Sequence, residues 1–145
     1  MNIIAFDLGK NFAWATNCHG LITGHIILAG PRAHRQGALH LFLAAHLCLM
    51  PYEAVVYETP FARGRDATRS LWGIAGLIEA SATNANLPVV DVAVSTIKKF
   101  ACGDGQAPKS DMIGAAKRMG YRGFNEHEAD AVCLLKYAEA NLEHV

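Results

Sequence analysis

The stretch Ile3-Ile4-Ala5-Phe6-Asp7-Leu8-Gly9 decides the fold. Its apolar run reads as a buried central strand. The strand closes on a carboxylate, Asp7, and Gly9 permits a turn beside it. A second run, Ala54-Val55-Val56-Tyr57-Glu58, closes on Glu58 in the same way. A third acidic position lies at the start of the last helix, in Asn125-Glu126-His127-Glu128-Ala129-Asp130-Ala131, where His127 and Asp130 stand three apart. Carboxylates delivered from strand ends and a helix start are how a fold builds a site for hard divalent cations. Such cations prefer oxygen ligands and keep waters for a phosphate-bearing substrate. The arrangement points to phosphodiester chemistry with two metal ions.

Outward from these stretches, Phe12 to Asn17 and Leu21 to Leu28 read as two further strands, with Cys18-His19-Gly20 as the hairpin turn. Leu39, Phe42, Leu43, His46, Leu47 and Met50 recur at three- and four-residue steps, an amphipathic helix that ends at Pro51. Thr59 to Asp66 is a loop rich in Pro, Arg and Gly. A helix follows over about Ala67 to Ala85, with Leu71, Ile74, Ala75, Ile78 and Ala82 on one face. Pro88 to Val94 reads as a fifth strand, Ser95 as the cap of a short helix through Phe100, and Gly103-Asp104-Gly105 as a break. Pro108 occupies a first helical position, Gly120 ends that helix, and the last helix runs from about Glu126 to the C-terminus. Asn125 and Glu128 read as its capping pair. A three-strand meander followed by alternating helices and strands implies an α/β fold, a mixed five-stranded sheet with helices on both faces.

The 145 residues suit a single domain over residues 1–145 with a sizeable core. The chain is 52% hydrophobic and carries 13 basic against 13 acidic residues. A neutral balance gives no general affinity for phosphate, so nucleic-acid binding needs a clustered basic patch. Cys18, Cys48, Cys102 and Cys133 show no CxxC spacing, which weakens zinc and thioredoxin-like readings and suits a reduced cytoplasm. The N-terminal run holds Asp7 and reads as a strand, not a signal peptide. No apolar run reaches the roughly 20 residues of a membrane helix. A soluble, cytoplasmic protein with no membrane partner is expected.

Strand-Asp-x-Gly, then strand-Tyr-Glu-x-x-Phe, then a terminal helix with Ala-Asp-Ala resembles, in that order, the RuvC family of Holliday junction resolvases in the ribonuclease H-like superfamily. The stretch Thr96 to Lys109 adds to the likeness, with its lysines around Gly103-Asp104-Gly105. The resemblance covers nearly the whole chain, and the short length and divergent core suggest the phage-encoded branch, within a bacterial cell. It implies an RNase H-like fold and a metal site of Asp7, Glu58, His127 and Asp130 for two Mg²⁺ ions. Asp7 would bridge both. Many members carry aspartate where this chain has His127, and imidazole suits Mn²⁺ better than Mg²⁺. The implied reaction is hydrolysis of DNA at a four-way junction, leaving 5′-phosphate and 3′-hydroxyl ends. Lys98 and Lys109 match two functional lysines that contact the scissile phosphate. Phe61 matches an aromatic that stacks on junction bases. A homodimer is implied because two symmetric strands must be cut.

Helical geometry weighs the neighbours. His127 and Asp130 share a face, and Glu126, at i,i+4 from Asp130, shares it too and is a reserve ligand. Glu128 points elsewhere. His127 is also a candidate general base near neutral pH. Lys109 lies in a first helical turn, where the dipole disfavours a cation, a mild sign of function. Phe61, Arg63, Arg65 and Arg69 combine stacking with positive charge, a suitable tool for opened junction bases, and Lys98, Lys99 and Lys109 extend the nucleic-acid-binding set. For Lys99 simple solubility is the stronger reading. Arg32, His34 and Arg35 read as a solvated helix start. Gly73, Ala75, Gly76 and Ala80 make one helix small-sided, which suits either a dimer contact there, the expectation, or close packing on the chain's own sheet. Two other readings compete with a junction endonuclease: an RNase H-like or YqgF-like nuclease on RNA or hybrids, and a branched-DNA binder without catalysis.

Overall fold

A computed structural model describes residues 1–142. Strand β1 (Ile3–Asp7), β2 (Asn11–Thr16) and β3 (Ile22–Ile27) form an antiparallel meander. Strand β4 (Ala54–Glu58) lies parallel to β1, and β5 (Val89–Val92) parallel to β4. The sheet order is β3-β2-β1-β4-β5, so β1 is central. Helix α1 (Arg32–Leu49) joins β3 to β4, and α2 (Arg65–Asn84) joins β4 to β5. Helices α3 (Val94–Cys102), α4 (Lys109–Arg118) and α5 (Glu126–Asn141) follow β5.

The two-residue period of the strands divides the core. Ile4, Phe6, Phe12, Val55 and Tyr57 pack beneath Leu39, Leu43, Ile74 and Ile78 of α1 and α2. Ile3, Ala5, Ala15, Ala54 and Val56 pack beneath Ile97, Met112, Val132 and Leu135 of α3, α4 and α5. Helices therefore cover both faces, as expected from the pattern. Alanines on β1 and β2 let α5 approach closely, and Ala129, Ala131, Val132, Cys133, Leu134 and Leu135 are all buried. The consecutive run Ala131 to Leu135 is buried, so this middle stretch of α5 is interior.

Several terminal assignments differ from the sequence reading. Ser95 does not cap α3; Ala93 holds the N-cap position without a side-chain bond. Pro108 is likewise the N-cap of α4, not its first residue. Helix α2 begins at Arg65, so Arg65 and Arg69 are helical. Asn125 does cap α5, accepting from the N–H groups of His127 and Glu128. Glu128 does not return the bond. Its carboxylate takes Thr23 Oγ1 and His25 Nδ1 on β3, tertiary partners that no local pattern encodes. The last residues of the expected C-terminal helix lie outside those described.

Gly24 on β3 opposes Trp14 on β2. A Cβ there would sit 2.1 Å from the Trp14 ring, itself packed on Phe42 and His46 of α1. The ring lies over the bare backbone of Gly24, with α1 on its other contacts. Gly24→Ala is expected to destabilise the fold by about 1–3 kcal/mol, read as a lower urea midpoint with an unchanged slope.

Candidate active site

Asp7 and Glu58 reach one site because of strand parity. Asp7 continues the Ile3, Ala5 series and Glu58 the Ala54, Val56 series, so both follow the face that α5 covers. Phe6 pairs with Tyr57 across the parallel ladder, which places Asp7 beside Glu58 one step on. The first turns of α5 bring His127 and Asp130 over the same strand ends. A cleft of about 260 Å³ results, lined by Asp7, Glu58, His127, Asp130, Lys98 and Lys109 among others. Six residues from five elements thus line one cleft.

Asp7 is only 6% exposed, and its Oδ2 lies 3.0 Å from His127 Nδ1. Burial raises the Asp7 pKa although the His127 bond and charge oppose it. The same bond is the main cause raising the His127 pKa, with burial opposing it. Burial and then the charges of Asp7 and Asp130 push Glu58 up to about 8. Burial and then Asp7 push Asp130 up to about 6. These carboxylates are held together against desolvation and mutual repulsion.

Glu126 does not line the cleft. Its Oε1 lies 3.0 Å from Lys109 Nζ and 3.5 Å from His127 Nε2. The hydrogen bond to Glu126 is the main cause raising the Lys109 pKa. Lys98 lines the cleft and also an adjoining cavity of about 660 Å³, shared with Glu58, Phe61, Ser95 and Gln106. Lys99 is exposed and lines neither cavity. Phe61 is 79% exposed at the rim of the second cavity, so it does not pack under its loop. Arg63, Arg65 and Arg69 are exposed and line neither cavity. Arg32 and His34 are exposed in the first turn of α1, away from the cleft. Gly73 is half-buried against Gln36 of α1, and Ala75 is buried in the core. Of the four small residues Gly73, Ala75, Gly76 and Ala80, the last two are exposed.

Among the described residues no three His, Cys, Asp or Glu side chains are gathered closely enough to hold an ion as placed. The donor chemistry nevertheless fits a hard divalent cation. Three carboxylates converge with raised pKa values, and a bound cation would relieve the repulsion that raises them.

No family model matches the sequence, and no curated protein does. Solved structures do match. Thermus thermophilus RuvC superposes with a TM-score of 0.81 at 18% identity, over 97% of this chain and 96% of that one. T. thermophilus RuvC in complex with a Holliday junction substrate gives 0.84 at 22% identity, over 98% and 96%. The chain has the RuvC fold. The yeast mitochondrial Holliday junction resolvase Ydc2 matches less closely, with a TM-score of 0.62 at 13% identity over 92% of this chain and 75% of that one. Within the RuvC fold, the cleft stands at the ends of β1 and β4 under the start of α5. No described helix is long and apolar enough to cross a membrane.

Proposed function

We propose that this protein is a metal-dependent endonuclease that cuts branched DNA, with the four-way junction as its preferred substrate. The observation that carries the reading is the cleft itself. Buried Asp7, half-buried Glu58 and Asp130, and His127 share about 260 Å³ with Lys98 and Lys109, on a RuvC fold. Asp7, Glu58, His127 and Asp130 would hold two Mg²⁺ ions, or Mn²⁺, which the imidazole of His127 favours. Bound there, such ions supply a water of lowered pKa and stabilise the leaving oxygen during in-line displacement.

The chain's own groups do the rest. Lys98 and Lys109 offer cationic donors to the scissile phosphate from opposite sides of the Gly103-Asp104-Gly105 turn. Glu126 restrains Lys109 and holds its charge. The Asp7 bond to Nδ1 fixes the His127 ring and leaves Nε2 as its remaining nitrogen. Phe61, solvent-facing beside the cavity that adjoins the cleft, is placed to stack on an unpaired base, and Arg63, Arg65 and Arg69 supply phosphate contacts. Cutting two symmetric strands calls for two active sites, and the exposed face of α2 with Trp72, Gly76 and Ala80 would join two copies. The products would carry 5′-phosphates, and the setting would be the cytoplasm of a bacterial cell, phage-encoded or not.

Junction, linear duplex, RNA duplex and RNA–DNA hybrid at equal concentration with Mg²⁺ test the substrate. The junction is expected to be cut at least about tenfold faster than any other, a difference of roughly 1.4 kcal/mol in transition-state binding. Faster cutting of the hybrid or of RNA would replace this reading with an RNase H-like one, and junction binding without any cutting would make the protein a branched-DNA binder.

A further inference from the structure

A second exposed aromatic stands just before α5, the helix that carries His127 and Asp130. Phe124 is 87% exposed, the most exposed large apolar side chain among the described residues. It precedes Asn125, the N-cap of α5, and stands two residues before Glu126 and three before His127. Its loop is pinned by the buried Tyr121. The Tyr121 hydroxyl accepts from Asn125 N–H at 3.0 Å and donates to Asn125 O at 3.2 Å. Phe124 is thus held out in solvent by an anchored turn. Lys117 Nζ sits 4.8 Å from the ring centroid, and Arg122 is exposed two residues earlier. Neither cation is in an ion pair among the described residues.

An exposed ring beside two unpaired cations matches the two faces of an opened nucleic-acid strand. The ring takes a base face and the cations take phosphates. A fully paired duplex offers the phosphates but no free base. We infer that Phe124, Lys117 and Arg122 form a second strand-binding site, which stacks an unpaired base on the His127 side of the cleft while Phe61 takes one on the Glu58 side. The inference rests on the reading of the protein as a DNA endonuclease and adds to it. Its partner is a single-stranded or splayed segment of DNA.

The test measures affinity by fluorescence anisotropy, with Ca²⁺ in place of Mg²⁺, for single-stranded DNA, a four-way junction and a linear duplex. Phe124→Ala is expected to weaken binding to the single strand and the junction by about tenfold, the size of one lost stacking contact, with little change on duplex. Phe124→Trp is expected to retain wild-type affinity. Lys117→Ala is expected to weaken all three substrates alike and reduce the salt slope by about one. Because Phe124 is so exposed, its Ala variant is expected to melt at the wild-type temperature, which separates binding from folding. Unchanged affinity of Phe124→Ala for single strand and junction, with wild type still preferring the junction, would overturn the inference and leave the endonuclease reading standing. A wild type with no junction preference, whose Phe124→Ala variant still loses single-strand affinity, would keep this site and remove the junction reading. A variant that changes only the oligomeric state would make Phe124 a contact between copies and overturn the inference.

Discussion

Replacing Asp7 by Asn is expected to lower junction cleavage by on the order of 10³-fold or more, while the affinity for junction DNA stays within about threefold of wild type. Asn keeps the shape and loses the charge. Asp7 is the deepest of the candidate ligands, 6% exposed, beside Glu58 in the sheet and 3.0 Å from His127. Phosphate affinity, by contrast, would come from Lys98, Lys109 and the arginines after β4, which the change does not touch. Removing a buried negative charge also removes the desolvation that raises the Asp7 pKa, so the variant is expected to melt no lower than wild type. A loss of cutting with intact fold and binding would place Asp7 in the chemistry. Undiminished cutting would remove the carboxylate cluster from it.

The second large effect is a pH-dependent stability that divalent cations reverse. Glu58 has its pKa raised from 4.5 to about 8, first by burial, then by Asp7 and Asp130. A carboxyl whose folded pKa is raised binds protons more tightly in the native state. Its stabilising contribution is present below about pH 4.5 and is lost as pH rises through 8. Asp130, raised to about 6, and His127, raised by its bond to Asp7, act in the same direction. Even half of the Glu58 shift corresponds to about 2 kcal/mol, or roughly 5–8 °C in a domain of this size. Without divalent cations, the Tm is therefore expected to fall by at least about 5 °C between pH 5.5 and pH 8. Millimolar Mg²⁺ or Mn²⁺ is expected to restore much of it at pH 8 and little at pH 5.5, because the cation replaces the protons. Calorimetric scans at the two pH values, with and without metal, measure this. A Tm independent of pH and metal, or a larger metal effect at pH 5.5, would argue against a cation site here.

How much was legible in the sequence depended on how local each signal is. The strands ending on Asp7 and Glu58 were readable because strand parity and burial act over a few residues. The same parity carries both carboxylates to the α5 face. His127 and Asp130 were readable because three residues of helix bring two side chains onto one face. The choice between His127 and Glu126 was not readable. Both could face Asp130, and the decision comes from Lys109, which captures Glu126, and from Asp7, which bonds His127. Those partners lie 17 and 120 residues away in the chain. The capping role assigned to Glu128 failed for the same reason, since β3 offered Thr23 and His25 instead of the helix terminus. Phe124 had no signal at all. An aromatic next to a helix cap normally reads as a hydrophobic staple, and its exposure follows from Tyr121 bonding Asn125.

The central claim is that the cleft cuts branched DNA with divalent cations, and strand-resolved cleavage of a synthetic four-way junction tests it most directly. Each strand is end-labelled in turn, and the reaction is run with Mg²⁺, with Mn²⁺ and with EDTA. Paired nicks at symmetric positions on two opposing strands, ending in 5′-phosphates, absent with EDTA and at least as fast with Mn²⁺ as with Mg²⁺, are the predicted result. Tight junction binding with no nick under any metal, or nicks that persist in EDTA, would contradict it.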